Sequence, residues 1–443
     1  MAGVLLLVKI GWRNLWRNPR GTLLTALALG LGLTLLLISL GLLDGSQEQM
    51  IGNAVRFGTG HVVIQAQGYQ QSGSQELLLP APVMSAAEAF LHTDAMKHVV
   101  RGVSPRLLAS GLLSSTANAD GVDIMGVIPV EERTVSLIPQ RIVEGSYLND
   151  DQQSGIVIGT ELARKLAVKI GGKLVLTSQM VQPPDTEAAE AGGGEMQSTL
   201  LRVSGIFRTG VQAIDAHIIQ MPLPEAQTLL GVPDRITQVA VLLQREGDSP
   251  TVARDLRQQL TGTPVEILTW REAMPTLAQL VSLDEAFNYV MNGVVLAMVG
   301  LAIFNTILMR VLERRYEFGL CSALGLRPGQ LAVMVIGESL ALTTISLGLG
   351  LVLGLSAQHY FATYGLDLRW FFKSSLPTAL VFDPIIYARL SVTRIASSVG
   401  IVFLTAIIIS FYPALKAARK ASTPSSLNTR SSRCSTSSRQ TGT

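Results

Sequence analysis

Ionisable side chains are sparse in the apolar parts of this chain, so the few that recur at a regular spacing are informative. Four of them lie in the stretch Arg310-Val-Leu-Glu-Arg-Arg-Tyr-Glu-Phe-Gly-Leu-Cys-Ser-Ala-Leu-Gly-Leu-Arg-Pro-Gly329. Arg310 with Glu313, and Arg314 with Glu317, are three residues apart and can pair across one helical turn. Phe318, Leu320, Leu324 and Leu326 would supply the apolar side of the same short helix. Such a set makes polar contacts with a partner, or marks one membrane face with charge; it breaks no bonds. A further carboxylate, Glu338, lies about seven residues into the next apolar run. An ionisable group at that depth is costly and is a functional candidate. The plainer alternative, which we favour, is pairing with a neighbouring helix near the cytoplasmic end. The usual catalytic sets are missing from the sequence. Five histidines are scattered without H-E-x-x-H spacing, and Cys321 and Cys434 form no C-x-x-C. No G-x-x-x-x-G-K-[ST] loop exists to cradle a phosphate. The expectation is a chain with no catalytic residue, no metal and no cofactor of its own.

The elements around these residues are set by hydropathy. The chain has 443 residues, 48% hydrophobic and 15% charged, with a net charge of +3. That composition belongs to a membrane protein. Residues 289–309 and 331–355 are each long enough to cross a bilayer core of roughly 30 Å as a helix. The link between them, 310–330, is too short and too charged to be a domain. Gly325 to Gly329, with Pro328, turns the chain back. Residues 22–43 form another uninterrupted run, followed by Asp44-Gly45-Ser46-Gln47 with no small-residue cleavage pattern, so a retained span is expected. Residues 1–21 precede it, with Lys9, Arg13, Arg17 and Arg20 among Ile10, Trp12, Leu15 and Trp16. They predict an interfacial amphipathic helix, with a simple basic flank as the alternative. A fourth run, 395–412, is just long enough to span, and 413–443 is a basic tail rich in Ser, Thr and Arg with no apolar period, expected to be disordered.

Between the first and second spans, 44–288 contain no apolar run of spanning length. Strand-like runs at His61–Gln67, Val122–Val127, Gly155–Ile158, Lys173–Thr177, Leu200–Phe207, His217–Met221 and Gln238–Leu243 alternate with helix-like runs at Ser85–Val100, Thr160–Ala167, Pro224–Leu230 and Ser249–Leu260. The predicted fold class is therefore an α-helical membrane protein with four transmembrane helices and a large extracytoplasmic α+β domain inserted between helices 1 and 2. Residues 179–198 form a long acidic, Gly-rich arm, either disordered or functional. Residues 356–394 form a second outside segment. Lys and Arg flank the start of span one, the end of span two and the end of span four, which places both termini and the 310–330 link in the cytoplasm. Arg389 and Arg394 run against this and are outvoted. Ser346, Gly350 and Gly354 repeat every four residues in the third span. Small residues so spaced let helices approach closely, either within one chain or between two.

Several of these segments resemble the permeases of the MacB/LolC/LolE/FtsX class of ABC transporters. Ile10-Gly-Trp-Arg-Asn-Leu-Trp-Arg-Asn-Pro-Arg-Gly-Thr-Leu-Leu-Thr25 is similar to the family's basic lead into span one. Glu313-Arg-Arg-Tyr-Glu-Phe-Gly-Leu-Cys-Ser-Ala-Leu-Gly325 resembles its coupling segment, and Glu338-Ser-Leu and Tyr412-Pro-Ala-Leu-Lys-Ala-Ala-Arg419 resemble two later motifs. Within the class, the chain resembles lipoprotein-releasing permeases of the LolC/LolE type. The resemblance implies a subunit of a bacterial inner-membrane ABC complex without nucleotide of its own, ATP and Mg being held by a partner. Implied partners are a cytoplasmic ABC ATPase dimer, a second permease subunit (a second copy or a related chain) and a possible periplasmic lipoprotein carrier; no nucleic acid is expected. Glu313, Arg314, Arg315, Glu317 and Gly319 with Ala323, Leu324 and Gly325 would be the ATPase-coupling residues. The implied work is extraction or export of a lipoprotein or other amphiphile. Regulation of a periplasmic cell-wall hydrolase in the FtsX manner, or efflux in the MacB manner, are the alternatives. Carrier binding by 179–198 stays open, because an acidic, Gly-rich arm departs from what a carrier-binding hook leads one to expect.

Overall fold

The computed structural model describes residues 19–149, 154–181, 195–313, 316, 317, 320, 324, 326–367 and 385–421. The interfacial helix expected before residue 19 and residues 182–194 of the 179–198 arm lie outside them. Among the described residues four helices are long and apolar enough to cross a membrane: α1 (Pro19–Phe57), α6 (Pro275–Glu313), α7 (Pro328–Tyr364) and α8 (Val392–Ala421). In between come α2 (Ala81–Leu91), α3 (Pro129–Val135), α4 (Leu223–Leu230) and α5 (Ser249–Gln259). The chain forms two compact units, one holding Met1–Leu42, Asn288–Tyr364 and Ala388–Thr443, the other Leu43–Phe287 and Gly365–Tyr387.

In the first unit each helix turns one apolar stripe inward. From α1 come Ala26, Leu29, Leu33, Leu36, Leu37 and Leu40, at the three- and four-residue steps that keep side chains on one face. Val299, Ile303 and Ile307 of α6, Leu331, Val335 and Leu342 of α7, and Val402 and Ala406 of α8 complete the cluster. Hydroxyls inside these helices bond backward onto their own backbone. Ser339 Oγ donates to the Val335 carbonyl at 2.9 Å and Ser346 Oγ to Leu342 at 2.8 Å, so neither needs water.

The second unit is built on β1 (Val62–Ala66), β2 (Leu79–Pro80), β3 (Val100–Ser114), β4 (Ala119–Val127), β5 (Ile142–Gly145), β6 (Gly155–Gly159), β7 (Lys173–Gln179), β8 (Met196–Phe207), β9 (Ile218–Pro222), β10 (Arg235–Ile236), β11 (Gln238–Leu243) and β12 (Val265–Thr269). Ten of these form one sheet in the order β12-β1-β11-β3-β4-β9-β6-β8-β5, with β7 bridging β3 and β8. The β4–β9 and β6–β8 pairs are parallel and the others antiparallel. Its main core joins alternate residues of β1, β3, β6 and β11 to Ala87 and Leu91 of α2, Ala226 and Leu230 of α4, and Val252 and Leu256 of α5.

Several expectations shift. A helix over Ser85–Val100 is replaced by α2, which begins at Ala81 on a proline-led first turn and stops at Leu91. Thr93 Oγ1 bonds back to the Phe90 carbonyl at 2.7 Å and helps end it. Val100 then opens β3, the longest strand, which the sequence hid behind Gly102, Pro105, Arg106 and Gly111. Spans one and two were bounded at 43 and 289, where hydropathy falls. The helices run on, to Phe57 and from Pro275, because Met50, Ile51, Val55 and Val281 keep an apolar face that packs with Trp270. The tail, expected from 413, is helical to Ala421. Ala414-Leu-Lys-Ala-Ala-Arg-Lys-Ala421 consists of strong helix formers, and they carry α8 past Pro413. Residues 356–394 are not a free-standing loop either. Helix α7 continues to Tyr364, and β13 (Leu366–Asp367) pairs with β14 (Ile385–Ile386). Gly365–Tyr387 belongs to the second unit, where Gln49 Nε2 donates to the Ile385 carbonyl at 3.3 Å.

Candidate functional site

Three places hold the residues singled out by sequence, and a fourth was missed. The first is the coupling segment. Helix α6 ends at Glu313, whose side chain is exposed. Arg314, Arg315, Gly319, Ala323 and Gly325 lie outside the described residues. Glu317 is half-buried and engaged in an interaction. Tyr316, Leu320 and Leu324 are 94%, 64% and 76% exposed, and the Leu324 amide bonds to the Leu320 carbonyl at 3.0 Å. They are four residues apart, the spacing that puts side chains on one side wherever a chain is helical. Tyr316 escaped notice because the charges beside it dominate the stretch. Leu326, assigned to the apolar side, packs on the bundle cluster. The Arg327 amide donates to Gln330 Oε1 at 2.9 Å and so closes the turn into α7.

The second place is the small-residue row of α7. The structure brings Ser346, Gly350 and Gly354 together against α1 of the same chain. A β-carbon on Gly350 would lie 2.6 Å from the Gly30 carbonyl oxygen, and one on Gly354 2.7 Å from Leu37 Cδ1. A β-carbon on Gly30 would meet the Ser346 carbonyl oxygen at 3.1 Å. Thr34 Oγ1 lies 3.2 Å from the Gly350 carbonyl and 3.0 Å from the Gly30 carbonyl, bridging the two helices. Ala26, Gly30 and Thr34 repeat every four residues, so the matching row was readable in α1 as well. The third place is Glu338, half-buried in α7 and engaged rather than free.

The missed place lies in the second unit. Arg106 of β3 and Glu132 of α3 are both fully buried, with Nη2 2.9 Å from Oε1 and Nε 3.0 Å from Oε2. Ser104 Oγ donates to Glu132 Oε2 at 2.8 Å, and Gln220 Nε2 to Oε1 at 3.1 Å. Tyr147 donates its hydroxyl to Gln220 Oε1 at 3.0 Å. Burial, with the Glu132 carboxylate nearby, pushes the Tyr147 phenol well above its ordinary range. The remaining arm of Arg106, Nη1, donates to the Gly58 carbonyl, one residue beyond the end of α1. No spacing rule links Arg106 to Glu132 or Gly58; only the fold joins them.

Among the described residues no group of three His, Cys, Asp or Glu side chains could hold a metal. An open cleft of about 310 Å³ on the sheet, lined in part by Leu108, Met125, Ile218, Asp123 and Tyr69, holds no catalytic set.

Comparison with known proteins places these features. The family described as the MacB-like periplasmic core domain matches residues 22–259, and the FtsX-like permease C-terminal family matches 289–421. The lipoprotein-releasing system transmembrane protein LolE of Haemophilus influenzae is 23% identical over 93% of this chain and 96% of its own length. LolC of the same system in Neisseria meningitidis is 20% identical over 69% of each chain. The macrolide export ATP-binding/permease protein MacB of Brucella melitensis is 22% identical over 93% of this chain but only 59% of its own. The crystal structure of the periplasmic region of MacB from Actinobacillus actinomycetemcomitans covers 52% of this chain and 96% of its own at 14% identity, with a TM-score of 0.35. With a MacB-like core over 22–259 and an FtsX-like carboxyl part over 289–421, the chain belongs to the MacB/LolC/LolE family of ABC transporter permeases.

Proposed function

We propose that this permease is the non-hydrolysing membrane subunit of an inner-membrane complex that draws a lipoprotein or a similar amphiphile from the outer leaflet. ATP and Mg are held by a separate cytoplasmic ATPase dimer that docks on 310–330. A second permease subunit, identical or related, completes the membrane part, and a periplasmic lipoprotein carrier receives the cargo. Both termini are cytoplasmic and the sheet domain is periplasmic.

The observation that carries this reading is the alignment with LolE over 93% of this chain and 96% of LolE. The character of the bundle supports it. Within the apolar runs 22–43, 290–309, 331–355 and 395–411 the polar side chains other than Glu338 are Asn, Ser and Thr, and the hydroxyls at 339 and 346 are spent on backbone carbonyls. Such an interior suits lateral movement of an acylated substrate better than a hydrated channel. Macrolide efflux is the second reading, carried by the match to MacB over 93% of this chain.

Charge reversal tests the docking. Arg314→Glu combined with Glu317→Lys should abolish co-purification with the ATPase, by at least tenfold, while the permease still inserts and folds. Undiminished ATPase binding would sink the docking assignment. For the cargo, mass spectrometry of material bound to the detergent-purified complex should find diacylated or triacylated peptides. A cell-wall hydrolase in their place would favour the regulatory alternative.

A further inference from the structure

The buried Arg106–Glu132 network is more elaborate than stability demands. An ion pair withdrawn from water is often matched or bettered by well-packed apolar residues of similar volume. Here every part of the pair is engaged in a direction-specific bond. Glu132 takes Nε and Nη2 of Arg106, Ser104 Oγ and Gln220 Nε2, and Gln220 is itself held by Tyr147. Arg106 keeps Nη1 for the Gly58 carbonyl. The guanidinium is planar, so fixing two of its nitrogens on Glu132 also fixes the direction of the third.

Gly58 is where α1 stops. Its amide closes onto the Ala54 carbonyl at 2.9 Å, and the Gly60 amide, in a left-handed conformation (φ +75°), closes onto Val55 at 2.9 Å. Beyond those bonds the Gly58 carbonyl is an exit dipole at the negative end of a helix 39 residues long, where a cation is favoured. Phe57 is buried beside Val127, Phe207 and Tyr147, so the helix end is held by packing as well as by charge.

We propose that Arg106 and Glu132 are positioning residues. They form the joint that holds the outer end of α1 at a set angle to β3, so that movement of this spanning helix is delivered to the sheet rather than absorbed at its end. The transport role rests on the reading given under Proposed function; the stiffness of the joint does not.

Two variants separate the joint from folding. Arg106→Lys keeps a positive charge for Glu132 but cannot also reach Gly58. The pair Arg106→Met with Glu132→Leu removes both charges and leaves neither orphaned. In full-length protein with Cys321 and Cys434 replaced by Ser, spin labels are placed at Gly52→Cys on α1, where a β-carbon meets nothing within 4 Å, and at Leu112→Cys on β3, an exposed site. Parent protein should give a narrow distance distribution by pulsed electron paramagnetic resonance in nanodiscs. In both variants the distribution should broaden at least twofold, with the melting midpoint within a few degrees. With the ATPase partner in proteoliposomes, release of a fluorescent diacylated peptide per ATP hydrolysed should fall at least tenfold, with hydrolysis unchanged. Parental width in Arg106→Lys overturns the proposal; should that variant fail to fold, the width in the Met/Leu pair decides. Parental release per ATP in a variant with a broadened joint overturns the delivery of movement. If the parent itself releases no peptide, the transport reading falls and the label widths still decide the joint.

Discussion

At the scale of single residues, close approach and protonation make the clearest predictions. Gly350 faces Gly30 with no room for a side chain. Gly350→Leu should cost about 1–3 kcal/mol through overpacking, read as a lower melting midpoint in detergent. An unchanged midpoint would mean that α1 and α7 do not cross there. Thr34→Val, which loses only the hydroxyl bridge, should cost about 0.6 kcal/mol. His61 is a second case. Burial, then the positive charge of Arg56, holds its pKa down at about 4, and its Nδ1 accepts the Leu243 amide at 2.9 Å. The folded chain therefore keeps the ring neutral where the unfolded chain, near pH 6.5, takes up a proton. Its contribution to stability is complete above pH 6.5, declines as pH falls toward 4, and is level below that. After discounting for a half-buried, screened ring the effect is about 1–2 kcal/mol. Thermal melts of the protein and of His61→Gln between pH 7 and 4.5 should converge as pH falls; parallel curves would remove the assignment.

At the scale of elements, the chain disclosed what is periodic and concealed what is not. Strand β11 was readable residue by residue, since Gln238–Leu243 is an unbroken β-favouring run bounded by polar residues. Strand β3 was not, because Pro105 and two glycines depress its own preference. It exists because β11, β4 and β7 pair with it along its length. The four spans were legible from hydropathy, but their ends were not. The outer turns of α1 and α6 are apolar on one side only, and a window average does not see a side. At about 1.5 Å per residue the 39 residues of α1 reach about 58 Å, nearly twice a bilayer core. Among the exposed Tyr316, Leu320 and Leu324, Leu320→Asp should weaken ATPase co-purification if a partner covers that side. Full retention would leave that side to lipid. The coupling charges were legible as a motif, whereas the Arg106 joint, made of groups from a strand, a short helix and a helix end, had no linear trace.

At the scale of the whole molecule, the family and the order of its parts were written in the sequence, since runs of twenty apolar residues survive any choice of neighbour. The sidedness is a prediction of the Lys and Arg flanks. Alkaline phosphatase fused at residue 120 should be active, and fused after 421 inactive; green fluorescent protein should give the reverse. The opposite pattern would invert the proposed complex. What the sequence did not disclose is that Gly365–Tyr387 is part of the large domain.

That membership changes how the domain must be handled. A fragment trimmed to residues 43–287 looks self-sufficient on paper, yet it abandons β13 and β14 and strips Gln49 of the Ile385 carbonyl. Polypeptide enters and leaves this body four times, not twice.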